Sequence, residues 1–500
     1  MSQPDLNQAP VLVVGAGIMG MGIAQVAAQA GHAVCVYDTR PDAAAAAKDK
    51  LASSLSALVT KGKMTAEAVQ ALLQRITPVA QLSDAAHVRL VVEAIVENLS
   101  VKRSVFQELE GVVGDDCILA TNTSSLSVTA IANGLKQPGR LVGMHFFNPV
   151  PLMKLVEVVS GLQTEAPVAQ AIFELAERWG KTAVYARSTP GFIVNRIARP
   201  YYAETLALLQ EQAAAPAQLD ALLRAAGFRM GPCELMDLIG HDTNFSVTQS
   251  VFEANFFDRR FTPSLLQREL VDGGLLGRKS GQGFYVYPEG APAWAPHPAS
   301  ALPAQTTLVV HGSGAVADRL AEAVSAHLGG KPASRAPSSD WVGVQVGAGQ
   351  LRLTDGRPAW QVAHDVSVAN VAVFDELPTV AGGALAFAAV GSAEWTQLSA
   401  DVLHALGFAP LPVADVPGLV VARTLAMLVN EAADAVLQGV CTPAGADAAM
   451  KLGVNYPAGP FEWLTRLGRT RVVAILQALD ACYRGERYRV SPLLQRGDIV

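Results

Sequence analysis

The stretch Val11-Leu-Val-Val-Gly15-Ala-Gly17-Ile-Met-Gly20 decides the fold class, because four apolar, β-prone residues run straight into G-x-G-x-x-G and a helical period follows. Glycines at 15, 17 and 20 permit a tight turn and let backbone N–H groups approach a pyrophosphate at a helix N-terminus. Asp38 closes the next apolar run, Ala33–Tyr37, at the distance expected of the acid that accepts the ribose hydroxyls. A carboxylate there repels a 2′-phosphate, so the predicted dinucleotide is NAD; Arg40 softens that preference slightly.

Working outward, further short apolar runs (Leu90–Val92, Ile118–Ala120, Leu141–Met144) alternate with helical periods as far as about Ser188. Strands separated by helices predict βαβ units and a largely parallel, doubly wound sheet. The next segment reads as helices alone, closed by the glycine-rich turn Arg278-Lys-Ser-Gly-Gln-Gly-Phe-Tyr285. Five prolines (288, 292, 296, 298 and 303) then mark a linker. Beyond it, Thr307–Val310 and Gly312-Ser-Gly314-Ala-Val-Ala317 start a smaller α/β segment. No acid closes a second strand there, so a worn-down Rossmann-like spacer is expected. The final helical stretch is a repeat. Thr189-Pro-Gly-Phe-Ile-Val-Asn-Arg196 matches Val416-Pro-Gly-Leu-Val-Val-Ala-Arg423, Gly231-Pro-Cys-Glu-Leu matches Gly459-Pro-Phe-Glu-Trp, and Leu265-Leu-Gln-Arg268 matches Leu493-Leu-Gln-Arg496.

The expected architecture is therefore α/β plus all-α. It comprises an NAD-binding Rossmann domain (1–188), a helical substrate and dimerisation domain (189–287), a Pro/Ala-rich linker (288–304), a small Rossmann-like domain (305–411) and a degenerate second helical domain (412–500).

The 500 residues are half hydrophobic and 16 % charged, with a net charge of −6, which excludes a mostly disordered chain and gives no basic footprint for nucleic acid. Five scattered cysteines without C-x-x-C favour a reducing compartment over a disulfide framework or cysteine-zinc cluster. No charged side chain lies between Asp5 and Asp38, but the glycines, Gln25, Gln29 and His32 interrupt any membrane-spanning run. Met-Ser-Gln-Pro-Asp lacks the positive flank of a signal peptide. A cytoplasmic protein without membrane, nucleic-acid or metal partners is expected.

Chemistry concentrates in Gly143-Met-His145-Phe-Phe-Asn148-Pro-Val-Pro-Leu-Met-Lys-Leu-Val-Glu157-Val-Val. His145 ends an apolar strand, at the rim where open α/β sheets bind ligands. Glu157 interrupts Leu155-Val-Glu-Val-Val, so it reads as a buried carboxylate needing a partner. Brought together, they make a base whose tautomer is fixed; a core histidine beside a satisfied glutamate is the plainer alternative. Thr121-Asn-Thr-Ser124-Ser125 follows a strand and presents hydroxyls to the same rim, or is turn chemistry alone. Asn195 opens the helical module as a site residue or an N-cap. Glu97 and Lys102 fall where the chain passes from strand to helix, as site residues or as a surface pair.

Gly-Ala-Gly-Ile-Met-Gly, Val-Glu-Ala-Ile-Val-Glu-Asn, Asn-Thr-Ser-Ser-Leu, the His-Phe-Phe-Asn-Pro block and Thr-Pro-Gly-Phe-Ile-Val-Asn-Arg together resemble the 3-hydroxyacyl-CoA dehydrogenases over residues 10 to about 290. The doubled helical module, the small central domain, and Tyr-Tyr-Ala-Glu and Gly-Glu-Arg-Tyr-Arg further resemble the family's phenylacetate-degradation members. That resemblance implies NAD-dependent oxidation of a 3-hydroxyacyl-CoA, with 3-hydroxyadipyl-CoA as substrate, or alternatively 3-hydroxybutyryl-CoA or general fatty-acid β-oxidation. It implies His145 as base, Glu157 as its orienter, and Ser124 and Asn195 as substrate contacts. It also implies NAD contacts at Met19, Asp38, Glu97, Lys102, Asn148 and Lys279, CoA contacts at Ser54 and Lys61, and a homodimer. No enoyl-CoA hydratase segment precedes the dehydrogenase, so a fused oxidation complex is not expected. A structural, crystallin-like role is disfavoured by the intact His145, Glu157, Ser124 and Asn195. A dehydrogenase of free hydroxy acids is the other rival.

Overall fold

Parallel strands covered by helices on both faces are mostly apolar, and in the computed structural model four strands of the first sheet are buried along their whole length. The structure describes residues 4–296, 298, 300–303 and 305–497; of the linker, residues 297, 299 and 304 lie outside the described ones. The described chain gathers into two units that cut across the sequence order. One runs to Arg196 and adds Ala435–Val454; the other comprises Ile197–Asp434 and the chain from Asn455 on.

The first unit is built on eight strands: β1 Val11–Val14, β2 Val34–Tyr37, β3 Ile76–Pro78, β4 Leu90–Glu93, β5 Ile118–Thr121, β6 Leu141–Phe146, β7 Leu155–Ser160 and β8 Thr182–Arg187. Their order is β3-β2-β1-β4-β5-β6-β7-β8. Strands β1 to β6 are parallel, β7 runs antiparallel to β6, and β8 parallel to β7. Every residue of β1, β4, β5 and β6 is buried. The core joins Val11, Val13, Ile23, Val36, Val92, Met144 and Val158 across the sheet. The reversal at β7 puts Glu157 directly opposite His145.

The second unit carries a seven-stranded sheet of β9 Leu308–His311, β10 Ser334–Ala336, β11 Gly343–Val346, β12 Gly349–Leu353, β13 Val371–Phe374, β14 Ala384–Val390 and β15 Ala409–Pro412, in the order β10-β9-β11-β12-β13-β14-β15. Its last three strands repeat the β6-β7-β8 pattern, antiparallel and then parallel. A helical module follows each pattern. The helices Pro216–Ala225, Pro232–Ile239, His241–Ala254 and Leu265–Asp272 find counterparts in Pro443–Gly453, Pro460–Leu467, Arg469–Tyr483 and Pro492–Arg496. The matched entry turns are strained alike: Gly191 and Phe192 lie at φ 77° and 46°, Gly418 and Leu419 at 71° and 52°.

Within the second unit the two helical copies exchange arginines. Arg423 Nε donates to Glu204 Oε2 at 2.7 Å and its Nη2 to Glu211 Oε1 at 3.0 Å, while Arg487 Nη2 donates to Glu204 Oε1 at 2.8 Å. In the reciprocal sense Arg260 Nη1 donates to Asp434 Oδ2 at 2.5 Å and Glu431 Oε2 at 3.3 Å. Glu204–Arg487 and Glu431–Arg260 are counterpart pairs, which is the self-complementary pattern of a two-fold interface. Burial pushes the Glu204 carboxyl up, but Arg487 and Arg423 outweigh it and hold it below its ordinary range. Removing one partner of so buried a network leaves uncompensated charge. Glu204→Ala should therefore cost about 3–5 kcal/mol in chemical denaturation; a loss below about 1 kcal/mol, the level of an exposed pair, would show the network to be dispensable.

Candidate active site

At the C-terminal end of β1 the turn leaves the sheet and the helix Ile18–Gln29 begins. Gly15 adopts φ 105°, and a Cβ there would stand 2.5 Å from Ala94 O, so the turn closes against the β4 loop only with glycine. Gly17 faces open space, and no side chain caps the helix start behind it. Open room beside uncapped N–H groups is the cradle that a pyrophosphate needs. Asp38 Oδ2 accepts the Ala16 N–H at 2.9 Å, tying the acid to the glycine turn. Arg40 grips the same carboxylate through Nε (2.9 Å) and Nη2 (3.0 Å) and holds it well below the usual carboxylate range.

A cleft of about 630 Å³ joins Gly17, Ile18 and Arg40 to Asn148 and Pro149 and to one face of the helix Ala43–Thr60, including Lys50 and Ser54. Ser54 thus shares a cleft with Asn148. Lys61 caps the C-terminus of that helix, exposed, and is not part of the cleft wall; Met19 is half-buried against the core. Lys50, one turn before Ser54, was not singled out by the sequence, although its spacing from Ser54 puts both on one helix face.

His145 and Glu157 meet. His145 Nδ1 lies 2.6 Å from Glu157 Oε2, with His145 5 % and Glu157 0 % exposed. Glu157 Oε1 accepts the Ile193 and Val194 N–H groups, each at 3.0 Å. Phe147 stands 4.5 Å from the His145 ring centroid and Phe192 5.9 Å. With Nδ1 bound to the carboxylate, Nε2 is the nitrogen left for chemistry. The Ser124 carbonyl accepts from Asn195 Nδ2 at 3.4 Å, so Ser124 and Asn195 come together as well. Asn195 lies inside the short helix Val194–Ile197, not at an N-cap.

Glu97 organises the hydroxyl loop. Its Oε1 accepts Thr123 Oγ1 (2.6 Å), the Ser124 N–H (2.9 Å) and Ser125 Oγ (3.1 Å). Burial pushes the Glu97 carboxyl up, but the Thr123 hydroxyl, Lys102 and the serine loop outweigh it and hold it low. Lys102 is no surface residue: 1 % exposed, it donates to Glu93 at 2.6 Å and approaches Glu97 at 3.3 Å. Glu93, which sequence reasoning passed over, also accepts from Thr121 Oγ1 at 2.7 Å. Asn122 Oδ1 accepts the Phe146 N–H at 2.8 Å and so fixes the strand end beside His145. Lys181, unmarked by any motif, donates to the Val150 and Met153 carbonyls and holds the loop that carries Asn148. Lys279 belongs to the other unit, where its ammonium pairs with Asp242 at 2.5 Å.

The second sheet keeps only part of this arrangement. Asp375 accepts the Val420, Val421 and Ala422 N–H groups at 2.7–2.9 Å, as Glu157 does at the matching turn. Asp375 follows β13, the counterpart of β6, and so stands at the place of His145; Ala386, opposite it on β14, stands at the place of Glu157, and Ala422 replaces Asn195.

Comparison with known proteins follows this division. Residues 10–189 match the family described as 3-hydroxyacyl-CoA dehydrogenase, NAD binding domain. Residues 191–287 and 418–497 both match its C-terminal domain, and 351–417 match a 3-hydroxybutyryl-CoA dehydrogenase reduced Rossmann-fold domain. The chain is 44 % identical over 494 residues, 98 % of each chain, to the 3-hydroxyadipyl-CoA dehydrogenase of Escherichia coli K12. It is 42 % identical to a probable 3-hydroxybutyryl-CoA dehydrogenase of Bacillus subtilis, over 56 % of this chain and 97 % of that one. Among solved structures, a 3-hydroxybutyryl-CoA dehydrogenase from E. coli K12 superposes with a TM-score of 0.89 at 42 % identity over 98 % of both chains.

Because the Glu97 carboxyl is held low when folded, its contribution to stability is complete above its unfolded value and fades as pH falls through the folded one. Glu97→Gln should therefore be less stable than wild type to urea at pH 7, and the gap should shrink below about pH 4.5. An equal gap at pH 7 and pH 3.5 would contradict a charge-based role for Glu97.

Proposed function

The chain belongs to the 3-hydroxyacyl-CoA dehydrogenase family, and on that premise we propose that His145 and Glu157 carry its NAD-dependent reaction, with Ser124 and Asn195 holding the substrate oxygens. The observation that supports this most directly is the buried 2.6 Å contact of His145 with Glu157 on a rim that also presents the glycine cradle. NAD, when bound, supplies the acceptor for the hydride leaving C3 of the substrate. The open face at Gly17, the Asp38 carboxylate and Asn148 fit the dinucleotide; Met19, Glu97, Lys102 and Lys279 are the remaining family-implied contacts, with Glu97 and Lys102 acting also through the serine loop. His145 Nε2 takes the proton of the 3-hydroxyl, and Glu157 stabilises the imidazolium as it forms. Ser124 and Asn195 hydrogen-bond the reacting oxygens and orient C3, so no enzyme group attacks covalently. In the reverse direction His145 returns the proton to the 3-oxo group. Ser54 in the cleft, with Lys61 beyond it, serves the CoA moiety.

For the acyl group we favour 3-hydroxyadipyl-CoA, because the E. coli relative of that name matches over nearly the whole chain, doubled module included. The similarly matching structure titled 3-hydroxybutyryl-CoA dehydrogenase favours the shorter acyl group as the second reading. Among the described residues no helix is long and apolar enough to cross a membrane, and all five cysteines are free. The scattered cysteines without C-x-x-C are what favour a cytoplasmic enzyme. The family-implied homodimer has to use a surface other than the face that the two helical copies already cover. Light scattering should then give about twice the 52.4 kDa chain mass; a mass of one chain would refute the dimer.

His145→Ala should lower kcat by about 10²–10⁴-fold, the range for a positioned general base, with NADH affinity by fluorescence unchanged. Near-wild-type turnover would remove His145 from the mechanism. In the same assays kcat/KM should be higher for 3-hydroxyadipyl-CoA than for 3-hydroxybutyryl-CoA; the opposite order would select the second reading.

A further inference from the structure

The helix Pro443–Gly453 belongs to the second helical copy, the one without catalytic residues, yet it packs on β7 and β8 beside the dyad and within the same unit. Its counterpart Pro216–Ala225 packs on β14 of the small domain. Two equivalent helices thus cover two equivalent sheets with unequal side chains. Leu219 corresponds to Ala446, Leu222 to Ala449, Leu223 to Met450 and Ala226 to Gly453, all buried. The helix over the catalytic sheet has the smaller contact face, which permits a closer approach of its backbone.

At Gly453 the approach leaves no free room for a side chain. A Cβ built there would stand 2.7 Å from Leu155 Cδ2, 3.0 Å from Val194 Cγ2 and 3.6 Å from Phe147 Cε1. Each of these neighbours leads to the dyad. Leu155 shares a face of β7 with Glu157, two residues away. The Val194 N–H donates to Glu157 Oε1, and Asn195 follows it. The Phe147 ring packs on the His145 imidazole. Just before the helix, Gln438 Oε1 accepts from Arg196 Nη1 at 2.7 Å, and the Val440 carbonyl accepts the Arg187 N–H at 3.0 Å. The second copy is therefore fastened to the turn that carries Val194 and Asn195 before it reaches Gly453.

We propose that Gly453 is a positioning residue for the His145–Glu157 pair: its missing side chain seats the second module against Leu155, Val194 and Phe147 and thereby fixes the geometry of the base. The proposal rests on the reading of His145 and Glu157 as the catalytic pair. The second module, with no reacting group of its own, is part of the first module's active-site wall.

The test uses the full-length protein, with kcat and KM for a 3-hydroxyacyl-CoA, NADH affinity and thermal melting measured for Gly453→Val, Gly453→Ala, Leu155→Val, the Gly453→Ala/Leu155→Val pair and Ala226→Val. Displacing a catalytic group by a fraction of an ångström to an ångström costs up to about 10²-fold. Gly453→Val should accordingly lower kcat about tenfold or more while KM and NADH affinity stay within about twofold. Gly453→Ala should show a smaller loss in kcat, and trimming Leu155, the nearest atom, should recover most of it. Ala226→Val, an enlargement to the same side chain at the corresponding position after Pro216–Ala225, should lower the melting temperature without lowering kcat. A kcat within about twofold of wild type in Gly453→Val, or a loss in Gly453→Ala that Leu155→Val fails to relieve, overturns the proposal. Should Gly453→Val not fold, the alanine pair decides. An active His145→Ala protein would instead bring down the dyad reading itself.

Discussion

The structure turns on a carboxylate that is buried and has to be satisfied. Glu157 is fully enclosed, and an ionised group in that position is tolerated only when each oxygen has partners. One oxygen meets His145, and the other takes two N–H groups from the turn that opens the first helical module. The proposed catalysis and the architecture thus share one side chain. The bond that fixes the imidazole is formed by the same residue that pins the Gly191–Val194 turn to the sheet, and Asn195 inherits its place from that turn. A second buried acid does the same for the other half of the rim. Glu93 holds Lys102, Lys102 leans on Glu97, and Glu97 gathers the hydroxyls of residues 123–125.

The duplicated half separates these two duties. Asp375, at the end of β13 where β6 carries His145, anchors its module by accepting three of the turn's backbone N–H groups, and it faces Ala386 where β7 carries Glu157. Its burial is uncompensated by a positive partner, and its carboxyl is pushed up to about 6 despite four backbone donors, the Glu376 N–H included. Anchoring a strained turn needs an acceptor at the right place; it does not need a proton relay. The turn conformation survives in both copies, with Leu419 at positive φ as Phe192 is, because the helix behind it cannot start in the same direction otherwise.

Much of this was legible in the chain. The glycine turn and Asp38 define a βαβ unit by spacing alone. Glu157 is conspicuous because a charge in Leu155-Val-Glu-Val-Val has nowhere to go but inward. The repeat was visible in three matched blocks. What stayed hidden depends on strand direction and on distant pairing. The apolar run of β7 reads the same in either direction; only the short stretch 147–154, too brief for a parallel crossover, signals the reversal that sets Glu157 opposite His145. Lys102 reads as half of a surface pair because Ser100, Arg103 and Ser104 around it are polar, whereas Glu93 draws it into the interior. Lys181 sits in no motif, since its partners are backbone carbonyls, which no sequence pattern records. The acyl specificity is silent for a related reason: a pocket wall is assembled from side chains that share no spacing.

Joining both helical copies in one chain changes what each must do. Two separate modules have to find each other in solution, whereas tethered modules meet at a high effective concentration fixed by the chain between them. The counterpart pairs Glu204–Arg487 and Glu431–Arg260 show that the self-complementary contact has been kept on both sides. With that contact secured within one molecule, the second copy needs no reaction of its own; what it must keep are the surfaces that the first copy uses. Ala422 in place of Asn195 and Asp375–Ala386 in place of His145–Glu157 are then tolerable, while Arg423, locked to Glu204 and Glu211 in the interior, is not free to vary without leaving buried charge unpaired. The same logic accounts for the inequality of the two equivalent helices. The one over the small domain fills its interface with leucines, and the one over the sheet of His145 and Glu157 keeps alanines and a glycine, as the proposed positioning role requires: the distance between a helix and a sheet matters most where a base must be held to a fraction of an ångström.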